Sequence, residues 1–266
     1  MNHYDFAVQL AKDAGVRVME MRKEEKHVTH KGLDLRDLVS NVDKEVGAFL
    51  VEEIKKTFPE HAVYSEEDGA SHADTKNPYQ WTIDPIDGTS NFVRDIPIFA
   101  VCIGLLHEGV PVLGAIYNPV TDELFSFEHG RGAFFGDKKI QTSSVTDLKD
   151  AYSLLRVGRN ESLANWGVET QRSFLKSLKK VSNLGSSALD LAYLAAARVE
   201  VVVYGTMTTR DISVAIGMVR AAGGEVYDLS GEAITISEMP QPIVATANKA
   251  LFKKLLPLLH TDLLPK

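Results

Sequence analysis

A mixed fold, part α+β and part α/β, is predicted by three observations. Two amphipathic helical periods open the chain, strand-like apolar runs follow them, and helix and strand patterns alternate again from Ser186 onward. At the start, Phe6, Leu10, Ala14, Val18 and Met21 recur at three- and four-residue spacing and place one apolar stripe on a helix of about four turns. Residues 27–37 interrupt this period. Residues 43–58 form a second amphipathic helix, with Val46, Phe49, Leu50 and Ile54 on one face, Ser40-Asn41 as caps and Pro59 as its stop.

The pattern then shortens to residues 62–64, 81–83, 99–106, 112–117 and 124–127, which read as strands. Turn chemistry at His107-Glu108-Gly109, Asn118-Pro119 and His129-Gly130 predicts that the last three form an antiparallel meander. Residues 154–157 are a further candidate strand. In the C-terminal part, Leu189, Ala192, Tyr193 and Ala196 define a small-residue helix, and residues 199–204 a buried strand. Ile212, Ala215, Ile216 and Val219 define another helix that ends at Gly223-Gly224. A short helical tail spans residues 251–259 and is interrupted by Pro257. Without repeats or a low-complexity linker, the halves 1–147 and 148–266 are expected to pack as one functional unit.

The chain has 266 residues, with 29 Lys and Arg against 36 Asp and Glu, giving a formal charge of −7. With 44% hydrophobic and 24% charged residues, it has the composition of a soluble globular protein, which excludes disordered and fibrous classes. The longest apolar stretch, residues 98–106, is less than half of the roughly 20 residues that a membrane helix needs. The N-terminus lacks a basic region followed by an apolar core, so a cytoplasmic protein is expected. The single cysteine, Cys102, forbids an intrachain disulfide and cannot alone build a thiolate metal site. The acidic balance gives no electrostatic basis for nucleic-acid binding. A phosphate-handling role would need cations.

The segment Trp81-Thr82-Ile83-Asp84-Pro85-Ile86-Asp87-Gly88-Thr89-Ser90-Asn91-Phe92 carries the chemistry. An apolar strand runs into two carboxylates three residues apart, and Pro85 between them predicts a turn at Asp84 that aims both at one point. The following Gly88-Thr89-Ser90-Asn91 offers a tight turn and exposed amides that open a helix, a natural phosphate site. Carboxylates beside amide donors suit a hard divalent cation held against a phosphate oxygen. The plainer alternative is that Asp84 and Asp87 only form a turn. Glu66-Glu67-Asp68 ends a second strand, where an acid run is also the pattern of a solvated loop. Arg210-Asp211 precedes an apolar helix, placing Asp211 at its N-cap or first turn, where a simple capping role is the alternative.

The block Asp84-Pro85-Ile86-Asp87-Gly88-Thr89-Ser90-Asn91-Phe92, preceded by Glu66-Glu67 and followed by Asp211 and Ala221-Ala222-Gly223-Gly224, resembles the inositol monophosphatase family. The likeness holds in order and spacing over nearly the whole chain. It implies a layered αβαβα sandwich of the sugar-phosphatase type and a metal-dependent, lithium-sensitive phosphatase. The implied metal ligands are Glu66, Asp84, the Ile86 carbonyl, Asp87 and Asp211, with the first half carrying the motif and the second supplying the last ligand. Substrate would meet Asp87, Gly88, Thr89, Ser186, Arg210 and Asp211, its phosphate resting on the amides of Gly88 and Thr89. Asp37-Leu38-Val39-Ser40-Asn41-Val42-Asp43 is similar to a family segment whose last Asp pairs with the motif threonine, so Asp43 and Thr89 would orient the attacking water, with Glu66 as a third catalytic group. The implied cofactor is Mg²⁺, about two or three ions per site, with Mn²⁺ or Ca²⁺ as alternative occupants. The mechanism implied is direct in-line attack of metal-activated water on a phosphomonoester, without a phosphoenzyme. A homodimer acting on a small phosphorylated substrate, with no nucleic-acid or membrane partner, completes the expectation.

The sequence departs from the inositol-specific pattern at two places. The family's Trp-Asp pair is Arg210-Asp211 here, and the acid seven residues earlier is Tyr204. Arg210 would bind a second phosphate or a carboxylate, or else form a surface ion pair. Gly185-Ser186-Ser187 stands where the family has Gly-Thr/Ser-Ala, so Ser186 would contact substrate or cap the next helix. Inositol 1-phosphate is the default substrate, with fructose 1,6-bisphosphate and a 3′-phosphorylated adenosine bisphosphate as alternatives. A regulatory binding protein that retains the fold is the alternative of another class.

Overall fold

A computed structural model describes residues 2–23, 28–30, 38–66, 77–158 and 163–264. Asp37, Glu67 and Asp68 lie outside these residues. The first helix, α1 (His3–Met21), is capped by the Asn2 side chain, which accepts from the Asp5 N–H. After the short antiparallel ribbon β1 (Val28–His30) and β2 (Leu38–Ser40), α2 (Asn41–Thr57) opens with a capping box. Ser40 is its N-cap and Asp43 the returning carboxylate, so Asn41 is already helical.

The large sheet contains β3 (Ala62–Ser65), β4 (Tyr79–Asp87), β5 (Ala100–His107), β6 (Val110–Asn118), β7 (Glu123–Glu128), β8 (Gly132–Phe135) and β9 (Lys138–Ile140), in that order. Only β3 and β4 run parallel; the rest is the expected antiparallel meander, extended by two short strands. The one-turn helix α3 (Thr89–Val93) leaves the end of β4.

In the C-terminal part, β10 (Tyr152–Arg156), α4 (Ala164–Ser177), β11 (Lys180–Ser182), α5 (Ser187–Ala195), β12 (Val201–Thr208), α6 (Ser213–Ala221), β13 (Glu225–Tyr227), β14 (Pro240–Thr246) and α7 (Lys249–Leu255) follow. The five strands stand in the order β11-β10-β12-β14-β13, with β10 parallel to both neighbours and the other pairs antiparallel. Pro257 falls in a 3₁₀ turn after α7, as a residue without an N–H should.

Three apolar clusters separate five layers. Phe6, Leu10 and Val18 of α1 and Val46, Leu50 and Ile54 of α2 pack on Trp81, Ile83 and Ile103. The opposite face, with Cys102, Ile116 and Phe125, meets α5 and α6, which in turn meet Val202 and Ile243 of the smaller sheet. Trp166, Phe174, Leu251 and Leu255 of α4 and α7 cover its outer face at Val201, Val203 and Val244. The order is therefore αβαβα. The runs 100–106 of β5 and 201–203 of β12 carry no polar side chain because alternate residues feed different layers. Helix α5 is buried nearly all round because it lies between two sheets, which accounts for its small residues.

One local expectation is corrected. The chain does not turn at Asp84-Pro85: β4 continues to Asp87 through a bulge. Asp84 stands opposite Cys102 and Asp87 opposite Ala100, so three steps on β4 match two on β5. Proline has no N–H to give the ladder, and a bulge accommodates that loss without ending the strand. In a regular strand, residues three apart point to opposite faces. The extra residue turns both carboxylates to the central layer.

Candidate active site

Asp84 and Asp87 are almost fully buried, at 6% and 8% exposure. The Asp84 Oδ1 accepts the Ile86 N–H at 2.9 Å, bridging Pro85 within the bulge. Asp87 reaches the N-terminus of α5. Its Oδ1 accepts from the Ser187 Oγ at 2.8 Å and the Ser187 N–H at 3.2 Å, while its Oδ2 accepts from the Ala188 N–H at 3.0 Å and from the Ser186 hydroxyl. Burial raises the Asp87 carboxyl above its ordinary range, against the pull of these donors.

Gly88 follows with φ of 92°, a left-handed conformation that starts α3. A Cβ there would stand 3.1 Å from the Ile98 carbonyl oxygen and 3.3 Å from that of Gly185, so the turn is also crowded. The Thr89 hydroxyl lies within donating distance of the Ile86 oxygen at 3.1 Å and the Asp43 Oδ1 at 3.4 Å. Asp43 is fully buried at the start of α2, where its Oδ2 accepts the Ser40 N–H at 2.8 Å. Asp43 thus closes the capping box of α2 and also lies within hydrogen-bonding reach of Thr89. Asn91 joins the halves by donating to the carbonyls of Ile98 at 2.7 Å and Leu184 at 2.8 Å.

Asp211 lies in the turn before α6, ahead of the N-cap residue Ile212, so it does not cap that helix. The Tyr64 hydroxyl donates to its Oδ1 at 3.4 Å. Arg210 stacks over the Tyr64 ring at 4.9 Å and pairs with Glu238 at 2.9 Å.

Glu66, Asp84, Ile86, Asp87, Gly88, Thr89 and Asp211 line one cavity of about 540 Å³. Asp43 backs it through Thr89. Ser186 and Arg210 are not among its lining residues: Ser186 is 1% exposed, donates to Asp87 and caps α5, and Arg210 is committed to Glu238. Three participants escaped sequence reasoning. Ser187 lay unused in a stretch already singled out, whereas Arg156, another lining residue, and Tyr64 carry no motif signal.

Among the described residues, no three His, Cys, Asp or Glu side chains converge closely enough to hold an ion by themselves. Four carboxylates, Glu66, Asp84, Asp87 and Asp211, line one cavity together with Ile86, and the donors such a lining can offer are hard oxygens. That chemistry fits Mg²⁺, which binds few carboxylates and completes its shell with water and substrate phosphate. The Cys102 thiol, buried in β5 and held well above its ordinary pKa by burial, is no nucleophile.

The model of the inositol monophosphatase family matches residues 2–263. The chain belongs to that family. Among its relatives, inositol monophosphatase 3 of Solanum lycopersicum is 37% identical over 85% of this chain and 86% of its own length. The fructose-1,6-bisphosphatase/inositol-1-monophosphatase of Thermotoga maritima is 32% identical over 87% of each chain. The crystal structure of the extragenic suppressor protein suhB from Bartonella henselae superposes with a TM-score of 0.88, at 32% identity and 96% coverage of both chains. This inositol monophosphatase family member is thus a phosphatase with the family's layered fold. No helix among its described residues is long and apolar enough to cross a membrane.

The second core of this family member holds a further acid, Asp190 of α5. Its Oδ2 accepts the Tyr204 O–H at 3.1 Å, and burial pushes its carboxyl up to about 7. Between the ordinary carboxylate pKa and this value, the folded chain keeps a proton that the unfolded chain releases. Stability therefore falls as pH rises through that window. Asp190→Asn, which still accepts from Tyr204, is expected to raise Tm more at pH 8 than at pH 5; the same shift at both, in thermal melts, would refute a buried titrating acid.

Proposed function

We propose that the chain hydrolyses a small phosphomonoester in a Mg²⁺-dependent reaction, with inositol 1-phosphate as the default substrate. The observation that carries this reading is the β4 bulge, which turns Asp84 and Asp87 to the same side as Glu66 and Asp211 in one cavity. Glu66, Asp84, Asp87, Asp211 and the Ile86 carbonyl would hold the ions. Bound there, Mg²⁺ neutralises phosphate charge, lowers the pKa of water and stabilises the leaving oxygen.

The residues of the chain do the positioning. The amides of Gly88 and Thr89 receive the phosphate oxygens. Thr89, whose hydroxyl lies within donating distance of both the Ile86 carbonyl and Asp43 Oδ1, would donate to Asp43 once the Ile86 carbonyl is engaged by an ion, leaving its oxygen lone pair to orient the attacking water in line. The proton lost by that water passes toward Asp43 through Thr89 or to Glu66 at the cavity wall. The working unit combines the halves 1–147 and 148–266, because Asp211 comes from the second. We read the protein as a cytoplasmic homodimer on the family resemblance.

The test is phosphate release with and without Mg²⁺ from inositol 1-phosphate, fructose 1,6-bisphosphate and adenosine 3′,5′-bisphosphate. Release should require Mg²⁺ and vanish with chelator. Thr89→Ala should lower kcat by about 10²–10³-fold with little change in Tm, the scale of a lost water-orienting group. Wild-type kcat in that variant would remove Thr89 from the mechanism. The second reading is a regulatory binding protein that retains this fold. Folded protein that binds Mg²⁺ yet releases no phosphate from any of the three would favour it.

A further inference from the structure

The cavity that gathers the acids has a single cationic lining residue among the described ones, Arg156 at the end of β10. It stands opposite Tyr204 of β12 and also lines a second cavity of about 530 Å³, with Gly158 common to both. Thr206 and Thr208 of β12 line the first cavity, and Ser182 and Asn183 the second, so each cavity that Arg156 lines also has polar residues in its wall. No described carboxylate lies within ion-pair distance of Arg156. Asp190 senses its charge, yet the Asp190 Oδ1 accepts no hydrogen bond and its Oδ2 is used by Tyr204. Arg210, by contrast, is paired with Glu238 and stacked on Tyr64.

A cation placed beside four carboxylates without forming an ion pair with any of them has its donors available for a ligand. Guanidinium presents a planar fork that matches a phosphate bidentately, and such charge-assisted bonds are the strong ones. The Mg²⁺ sites and the amides of Gly88 and Thr89 account for only one phosphate. We infer that Arg156, which lines both cavities, receives a second phosphate of the substrate, so that a small bisphosphate takes the place of the default inositol 1-phosphate as the preferred substrate class. The inference rests on the phosphatase reading for the location of the scissile phosphate. It transfers to Arg156 the anion contact expected of Arg210.

The test compares fructose 1,6-bisphosphate with fructose 1-phosphate on the full chain with Mg²⁺. Wild type should show the lower KM for the bisphosphate. Arg156→Gln should raise that KM about 10–100-fold at nearly constant kcat, leave the KM for the monophosphate within about twofold, and be partly rescued by Arg156→Lys. Equal effects on both sugars, or none on either, would overturn the assignment. Thermal melts separate this outcome from failure of the phosphatase reading. If neither sugar is hydrolysed, the bisphosphate should still raise the Tm of wild type and not of Arg156→Gln. Equal protection of the two proteins, or none, would count against Arg156 whatever the catalytic result.

Discussion

The Asp87→Asn variant is expected to lose turnover by at least about 10²–10³-fold and to melt several degrees below wild type. The first effect follows from exchanging a charged ligand for a neutral one at the wall of the cavity. The second follows from what the carboxylate does for the fold. Both Asp87 oxygens accept from the start of α5, two bonds coming from the backbone amides of Ser187 and Ala188. An asparagine has one acceptor oxygen and must turn its amide group toward the other N–H. The serine hydroxyls can rotate to accept instead, but a backbone N–H cannot.

A buried donor left facing a donor costs about 1–3 kcal/mol. Asparagine also removes the cost of burying a charge, the cost that raises the Asp87 carboxyl, so the net loss lies at the lower end of that range. At about 2–4 °C per kcal/mol for a chain of this size, Tm should fall by about 2–6 °C. Phosphate release and a thermal melt on one preparation check both parts. Full activity would dismiss Asp87 as a ligand. An unchanged Tm would mean that its contact with α5 adds nothing.

Gly205→Ala is expected to be the more damaging change to the fold. Gly205 lies in β12 where this strand passes the chain leaving β10. A Cβ on it would stand 2.2 Å from the Val157 carbonyl oxygen and 2.7 Å from the Trp166 ring. The oxygen belongs to backbone and cannot rotate away, and Trp166 is fully buried. The strands must separate. Overpacking of this kind costs about 1–3 kcal/mol or more, so Tm should fall by about 5–10 °C.

The displacement would also reach the cavity, because Gly205 lies between Tyr204 and Met207, where the pairing of β12 with β14 shifts, and Thr206 and Thr208 line the cavity just beyond. KM should therefore rise as Tm falls. A thermal melt within about 1 °C of wild type would show that β12 and the end of β10 can part without cost.

Elements with a clean period were legible beforehand. The α1 stripe, the α2 face and the apolar runs of β5, β6 and β7 have the lengths and turn residues of ordinary elements. Helix α4 was not, because its buried stripe contains Gly167 and Thr170 between Trp166 and Phe174, which dilutes the apolar signal. Strands β8, β9, β11 and β13 are only three or four residues long, too short for alternation to register. The Asp84 motif was legible as a pair of converging carboxylates. The means of convergence was misread as a turn, since proline signals a loss of pairing without saying whether the strand ends or bulges.

The sequence by itself determined the helical and strand periods, the left-handed turn at Gly88, the capping box of α2 and the oxygen chemistry of the acids. These are properties of neighbouring residues and follow from backbone sterics and side-chain type. Tertiary structure decided which groups meet: Asp87 with the start of α5, Tyr64 with Asp211, and Arg156, rather than Arg210, with the cavity. Such partners lie about a hundred positions apart, and the stacking of five layers brings them together. A local period states which face of an element is buried, and only packing against the next layer determines what that face meets.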